Sequence, residues 1–364
     1  MTVTSKLPPK YVLLAGRIEQ QIRSGQYRPG QALPTVRELM ASERLGTATV
    51  TNGLALLEER GWVTRHPQRG YFVAGASGTK SKVSQIAFLT AALSGDTDLY
   101  VRGMTEVLAG GTDLAVSTFS SHGDLERFRQ AVEQVADLQP AGVVLIALPR
   151  GICDLDLTPL AEARIPAVII GEPMPGIACD RVIQTGQDGG RRVLQHLLER
   201  GCDTPAVLEA LPIDAGGQEL LWVLRTGFAR AGIELTDERV FYYQSPHGWR
   251  PPVDPYIDAQ RRMEEALASG VRFGTLICRS DYQAVGAIRA IVAAGLRVPE
   301  DVAVISAVQC AVDGVCPMRI TAVDTRREDQ GRVAAELLIK RIGGHDGPPE
   351  VHHIAGELRV GETG

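Results

Sequence analysis

From residue 84 to residue 307, short apolar runs alternate with amphipathic stretches, and no other feature restricts the fold as strongly. The runs are SQIAFLT, DLAVSTF, GVVLIAL, PAVIIG, TPAVLEA, RVFYYQ, FGTLIC and DVAVISA. The stretches between them predict helices over 100–110, 124–138, 157–164, 186–200, 217–232, 255–270 and 281–295. A run that is apolar at every position is buried on both faces, and helices that separate such runs must cover those faces. The fold class is therefore α/β, with parallel sheets wrapped by helices. A segment this long with this many βα units is expected to form two doubly wound lobes. The first is placed at about 83–183 with 308–324, and the second at about 184–307 with 325–360.

The first 74 residues follow another pattern. Val12, Leu13, Leu14, Ile18 and Ile22 recur at helical spacing from Lys10 to Ser24, and Gly25 ends the repeat. After a Pro29-Gly30 turn, Thr35 is placed to cap a short helix through Arg37, Leu39 and Met40. Thr47 is placed to cap a third helix with Val50, Leu54, Leu56 and Leu57 on its inner face. WVTRHPQRGYFVA then reads as two short strands about a Pro-Gln-Arg-Gly turn. Three helices and a hairpin in this order make a winged helix-turn-helix. The small, polar residues 75–82 read as a linker, leaving 83–364 as the larger domain.

The net charge of −5 conceals an asymmetry: residues 1–80 carry eleven Lys and Arg against five Asp and Glu, whereas residues 81–364 carry 27 against 38. A basic module on an acidic body suits a polyanionic partner for the module alone, although a solvated basic surface would look the same. No apolar run is long enough to span a membrane and no signal sequence opens the chain, so a cytoplasmic protein is expected. The six cysteines lack any C-x-x-C pairing and read as reduced. His345, His352 and His353 read as a solvated tail rather than a metal site, and Gly189-Gly190 and Gly216-Gly217 lack the pattern of a phosphate loop. No cofactor and no metal are expected.

GQYRPGQALPTVRELM together with LEERGWVTRHPQRGYFV resembles the GntR-type winged helix over Tyr11 to Val73. That resemblance implies double-stranded operator DNA as the partner. Thr47, Thr49, Thr51 and Asn52 would face base edges from the recognition helix, Asn52 suiting a bidentate contact to adenine. Arg37, Arg65 and Arg69 would grip phosphates and the minor groove, with Gly70 letting the wing backbone approach. Thr47 is as well placed to cap its helix as to touch a base. The family's Ser-Arg-x-[TA]-V-R is Gly46-Thr47-Ala48-Thr49-Val50-Thr51 here, so the operator of typical members does not carry over.

FGTLICRSDYQAVGAIRAIVAAGLRVPEDVAVISA and RITAVDTRREDQGRVAAELLIKRIGG resemble the LacI-type effector domain, which shares the fold of periplasmic sugar-binding proteins. The resemblance implies a small-molecule effector between the lobes, a sugar or related metabolite, and a homodimer joined through the sensor lobes. It implies regulation of a catabolic operon, most simply repression, with effector binding shifting lobe closure and operator affinity. It places Asp96 and Thr97 in the loop after the first strand and Glu172 after the fourth. Trp222 falls at a ligand-gripping position, with Asp281 and Gln309 at two further cleft positions. Ser280 in place of the family's Asn, and Val308-Gln309 in place of its Asp-Asp, leave the ligand unnamed. The enzyme alternative, a GntR head on an aminotransferase-like body, would need a Schiff-base lysine, and Lys340 is the only lysine after Lys82.

Overall fold

A computed structural model of the chain describes residues 9–23, 26–28, 30–59, 62–66, 70–73, 84–91, 95–147, 155–211, 213–244, 256–312 and 314–364. The chain divides into two units at residues 83 and 84.

The first unit contains α1 (Lys10–Arg23), α2 (Val36–Glu43), α3 (Thr47–Glu59), β1 (Val63–His66) and β2 (Gly70–Val73). α2 begins with a reciprocal cap. The Glu38 amide donates to Thr35 Oγ1 at 3.3 Å, and the Thr35 amide donates to the Glu38 carboxylate at 2.7 Å. Two N–H groups that the helix end orphans are thereby satisfied. α3 starts differently from the sequence expectation: the Val50 amide donates to the Gly46 carbonyl, and the Thr47 hydroxyl lies 3.3 Å from Met40 Sδ. Thr47 is thus the first helical residue and not the cap, because its hydroxyl is taken by the neighbouring helix. Leu14, Ile18, Leu39, Val50, Leu54, Leu57, Val63 and Val73 close the core. β1 and β2 pair antiparallel, Arg65 opposite Tyr71, and the segment before α2 joins them: Gly30 and Leu33 amides donate to the Val73 and Tyr71 carbonyls. The Pro-Gly signal marks only a turn there, since this pairing is made by tertiary contact.

The second unit runs β3 (Ser84–Thr90), α4 (Gly95–Leu108), β4 (Leu114–Ser120), α5 (Leu125–Leu138), β5 (Gly142–Ile146), α6 (Thr158–Glu162), β6 (Ala167–Ile170) and β7 (Asp180–Ile183). It continues with α7 (Gly186–Glu199), β8 (Pro205–Leu211), α8 (Ala215–Arg230), β9 (Val240–Gln244), α9 (Ile257–Ala268), β10 (Thr275–Cys278), α10 (Asp281–Ala293) and β11 (Ala303–Ser306). β12 (Thr321–Asp324), α11 (Arg327–Ile342), β13 (Val351–His353) and β14 (Glu357–Arg359) complete it. Two sheets result, ordered β13-β7-β6-β5-β3-β4 and β14-β12-β11-β10-β8-β9. Every pairing in them is parallel except β12 with β14, where Ala322 faces Arg359. α4 and α11 cover one face of the first sheet, with α5 and α6 on the other; α9 and α10 cover one face of the second, with α7 and α8 opposite.

The expected halves of the lobes are exchanged at the C-terminal end. β12 pairs with β11 in the second lobe, and α11 packs on β5, β6 and β7 in the first, so 308–324 and 325–342 lie in the opposite lobes to those expected. Apolar periodicity identifies an element without saying which sheet receives it. The chain crosses between lobes at 184–185, 325–326 and 354–356. His352 and His353 are correspondingly not a solvated tail: they lie in β13, paired with Val182 and Ile183 of β7.

α4 and α11 approach backbone to backbone. A Cβ on Gly103 would stand 1.9 Å from the Glu328 carbonyl oxygen, and one on Gly331 would stand 2.1 Å from that of Tyr100. The pair carries Tyr100, Arg327 and Gln330 to the space between the lobes. No helix among the described residues is long and apolar enough to cross a membrane.

Candidate functional site

On the first unit, the buried residues Val50, Gly53, Leu54 and Leu57 fix the rotation of α3, leaving Thr47, Ala48, Thr51, Asn52 and Ala55 on its exposed side. Thr49 is half-buried. Arg37 is exposed at the start of α2, and Arg65 is exposed on β1. Gly70 has φ +94°, which disfavours any side chain there although the surrounding space is open. Arg69 lies outside the described residues. Arg44 was not singled out from the sequence; it is exposed in the turn between α2 and α3, in the left-handed conformation with φ 52°. Its place two residues before Gly46, beside the helix that lacks the family's arginines, was the available signal.

On the second unit, the carboxyl ends of the strands from both lobes enclose a cavity of about 270 Å³. The first lobe contributes Ile146, Ala147, Ile170, Gly171 and Glu172, the crossovers Gln184, Thr185 and Thr325, and the second lobe Asp214, Gly216, Glu219, Arg279, Ala307 and Val308. This is the position at which parallel α/β sheets hold ligands. α7 and α8 begin at its wall, close enough that a Cβ on Gly186 would stand 2.1 Å from the Gly216 carbonyl oxygen. Thus the paired glycines at these helix starts serve close packing. Arg279 lies 3.4 Å from Asp214 Oδ1, which also accepts the Gly217 amide at 2.7 Å.

Of the six residues expected at the effector, the structure places Glu172 on the cavity wall. Asp96 and Thr97 lie in the first turn of α4, not in a loop, because that helix starts at Gly95. Asp96 accepts the Ala311 amide at 2.9 Å and the Tyr282 hydroxyl at 3.3 Å, and lies 3.7 Å from Arg327, so it ties one lobe to the other beside the cavity. Thr97 is buried. Asp281 is buried as well; its Oδ2 accepts the Cys310 amide at 2.9 Å, and burial pushes its carboxyl up to about 6. Gln309 gives its carbonyl oxygen to Arg327 at 2.6 Å. Trp222 is 59% exposed on α8, because Leu220, Leu221, Val223 and Leu224 take the inward positions of that helix. Asp214, Glu219, Arg279, Thr325 and Arg327 were missed, though each lies on or just beyond the end of an apolar run or at the start of the next helix.

Glu209 stands on β8 behind Gly217, 4% exposed, with Oε1 accepting the Ala210 amide and Oε2 without a partner among the described residues. Burial pushes its carboxyl up to about 7, against the pull of Arg279. A carboxyl whose folded pKa exceeds its unfolded value favours the protonated folded state, so this contribution is complete below about 4.5 and is lost as pH rises through 7. Glu209→Gln is therefore expected to match the parent near pH 4.5 and to exceed its stability at pH 8 by about 2–3 kcal/mol. Urea titrations at the two pH values check this.

The exposed Thr, Asn and Arg side chains of the winged helix and the polar cavity of the two-lobed unit define a ligand-responsive DNA-binding transcription regulator. Residues 10–73 match the model of bacterial regulatory proteins of the gntR family, and residues 194–363 match that of the periplasmic binding protein-like domain. The chain thus joins a gntR-type helix-turn-helix domain to a periplasmic binding protein-like domain. It is 24% identical to the arabinose metabolism transcriptional repressor of Geobacillus stearothermophilus over 348 residues, 93% of this chain and 92% of that one. It is 30% identical to the transcriptional regulator CelR of Thermobifida fusca over 228 residues, 61% of this chain and 63% of that one. The solved transcriptional regulator CelR–cellobiose complex has the same fold, with a TM-score of 0.64 at 23% identity over 98% of this chain and 100% of that one. The aminotransferase-like alternative finds no support, since residues 194–363 match the periplasmic binding protein-like domain.

Proposed function

We propose that the protein is a cytoplasmic homodimeric repressor of a catabolic operon, acting by binding and not by catalysis, whose operator affinity is set by a sugar or related small molecule held between the sensor lobes. The observation that carries this reading is the polar cavity, formed where strand ends of both lobes meet the crossovers. A ligand touching both lobes stabilises one degree of closure over others, which shifts an equilibrium in proportion to its differential affinity. The pairing of this sensor with a winged helix, and the whole-length relation to an arabinose metabolism repressor, support repression. On the DNA side, Arg37, Thr47, Thr49, Thr51, Asn52, Arg65, Arg69 and Gly70 form the proposed contact set.

Fluorescence anisotropy against the DNA upstream of the protein's own gene, with and without sugars, tests the reading. Salt-sensitive binding that one sugar abolishes is the expected result; binding indifferent to every sugar would sink it. Arg37→Ala should weaken binding to all sequences and reduce the slope of log affinity against log salt by about one. Asn52→Ala should instead cost about 1–3 kcal/mol of discrimination at one base pair and leave the salt slope unchanged.

A further inference from the structure

The donors and acceptors around the cavity are unequally engaged. Arg279 faces Asp214 at 3.4 Å, and Arg327 donates to the Gln309 carbonyl at 2.6 Å while lying 3.7 Å from Asp96. The first-turn amides of α7 and α8 are similarly taken: Gln187 N–H by Glu219 at 3.4 Å, Asp188 N–H by Thr185 Oγ1 at 3.2 Å, and Gly217 N–H by Asp214 at 2.7 Å. These groups are what an anionic ligand would use, and each already has a protein acceptor. Two groups on the wall lack a partner among the described residues, one a carboxylate and one a hydroxyl. Glu172, on the wall after β6, has no hydrogen bond or ion pair among the described residues. Thr325 Oγ1, on the wall at the second crossover and 3% exposed, has no partner among them either.

A carboxylate without a partner among the described residues, beside the aliphatic walls of Ile146 and Ile170, favours a charge-assisted donor. The volume of about 270 Å³ lies at the small end of ligand pockets and suits a single ring. We propose that the effector is an amine-bearing polyol of monosaccharide size, its ammonium facing Glu172. The inference rests on the reading of this cavity as the effector site. Phosphorylated or carboxylated sugars are disfavoured, because Glu172, Asp214 and Glu219 all line the wall and its cations are already paired.

The test is calorimetry on the full chain at pH 7 with three matched sets: glucose, galactose and mannose, their 2-amino forms, and their uronates. One amino sugar should bind at least tenfold more tightly than its parent, and its uronate should not bind. Glu172→Gln should abolish the tenfold preference for the amine over its parent. A parent sugar or uronate that binds as tightly as the amine overturns the proposal, and silence from all nine compounds does so too. An Ala147→Phe variant separates the two readings. If a neutral sugar binds as tightly as its amine and Ala147→Phe abolishes that binding, the effector site stands and the amine preference falls; if binding survives the substitution, the cavity is not the effector site.

Discussion

Gly103→Ala is expected to lower the melting temperature of the full chain by about 10 °C, a loss of about 3–4 kcal/mol. The new methyl would stand 1.9 Å from the Glu328 carbonyl oxygen. Because the obstacle is backbone, no rotamer change relieves it, and α4 must move away from α11. The intrinsic gain of about 1 kcal/mol from replacing a helical glycine is far too small to compensate. The displaced helices carry Tyr100, Arg327 and Gln330, so effector affinity should fall together with stability. Gly16→Ala in α1, with nothing within 4 Å of the added methyl, serves as the control and should be neutral or stabilising. Equal melting temperatures for Gly103→Ala and the parent, measured by circular dichroism, would refute the close approach.

Arg341→Met should cost about 3–5 kcal/mol, because removing one partner of a buried ion pair strands the other. Asp180, 1% exposed at the start of β7, receives Arg341 Nη2 and Nε at 2.6 and 2.7 Å and the Glu350 amide at 2.7 Å. Arg341 also donates to the Pro348 carbonyl at 2.8 Å, so it ties the end of α11 to the approach of β13. Burial alone would raise the Asp180 carboxyl, but the Arg341 and Glu350 hydrogen bonds hold it below its usual value. That contribution is present above the unfolded value near 3.8 and is lost as pH falls through the folded one. In the variant, burial acts unopposed by the guanidinium, so the gap between variant and parent should be widest near neutral pH and narrow toward pH 3. Asp180→Asn combined with Arg341→Met should recover part of the loss, and denaturant titration of the parent and the two variants measures it.

The parallel sheets were legible because their central strands carry continuous apolar runs, such as IAFL in β3 and LIC in β10. DRVI, VHH and ELR were not, being short, polar strands on or beside the sheet edges. Trp222 shows the limit of transferring a position from a family pattern: helix phase turns it outward, which only the burial of its neighbours reveals. Glu172 was reached because the family pattern puts a cleft residue after the fourth strand, whereas Arg279 and Asp214 were not singled out. The Asp96 contacts to Tyr282 and Ala311 join residues about two hundred positions apart, and no local pattern encodes such a pairing.

The three crossovers also constrain how such a regulator can be recombined. Neither lobe is a continuous stretch of chain, for the first is completed by α11 and β13 and the second by β14. A genetic cut at 184 would therefore leave the first lobe without α11 and β13, and leave those two elements stranded on an otherwise complete second lobe. New ligand preferences must arise by point substitution within an indivisible cassette of 84–364, while the winged helix can be exchanged for another at a single junction between Val73 and Ser84.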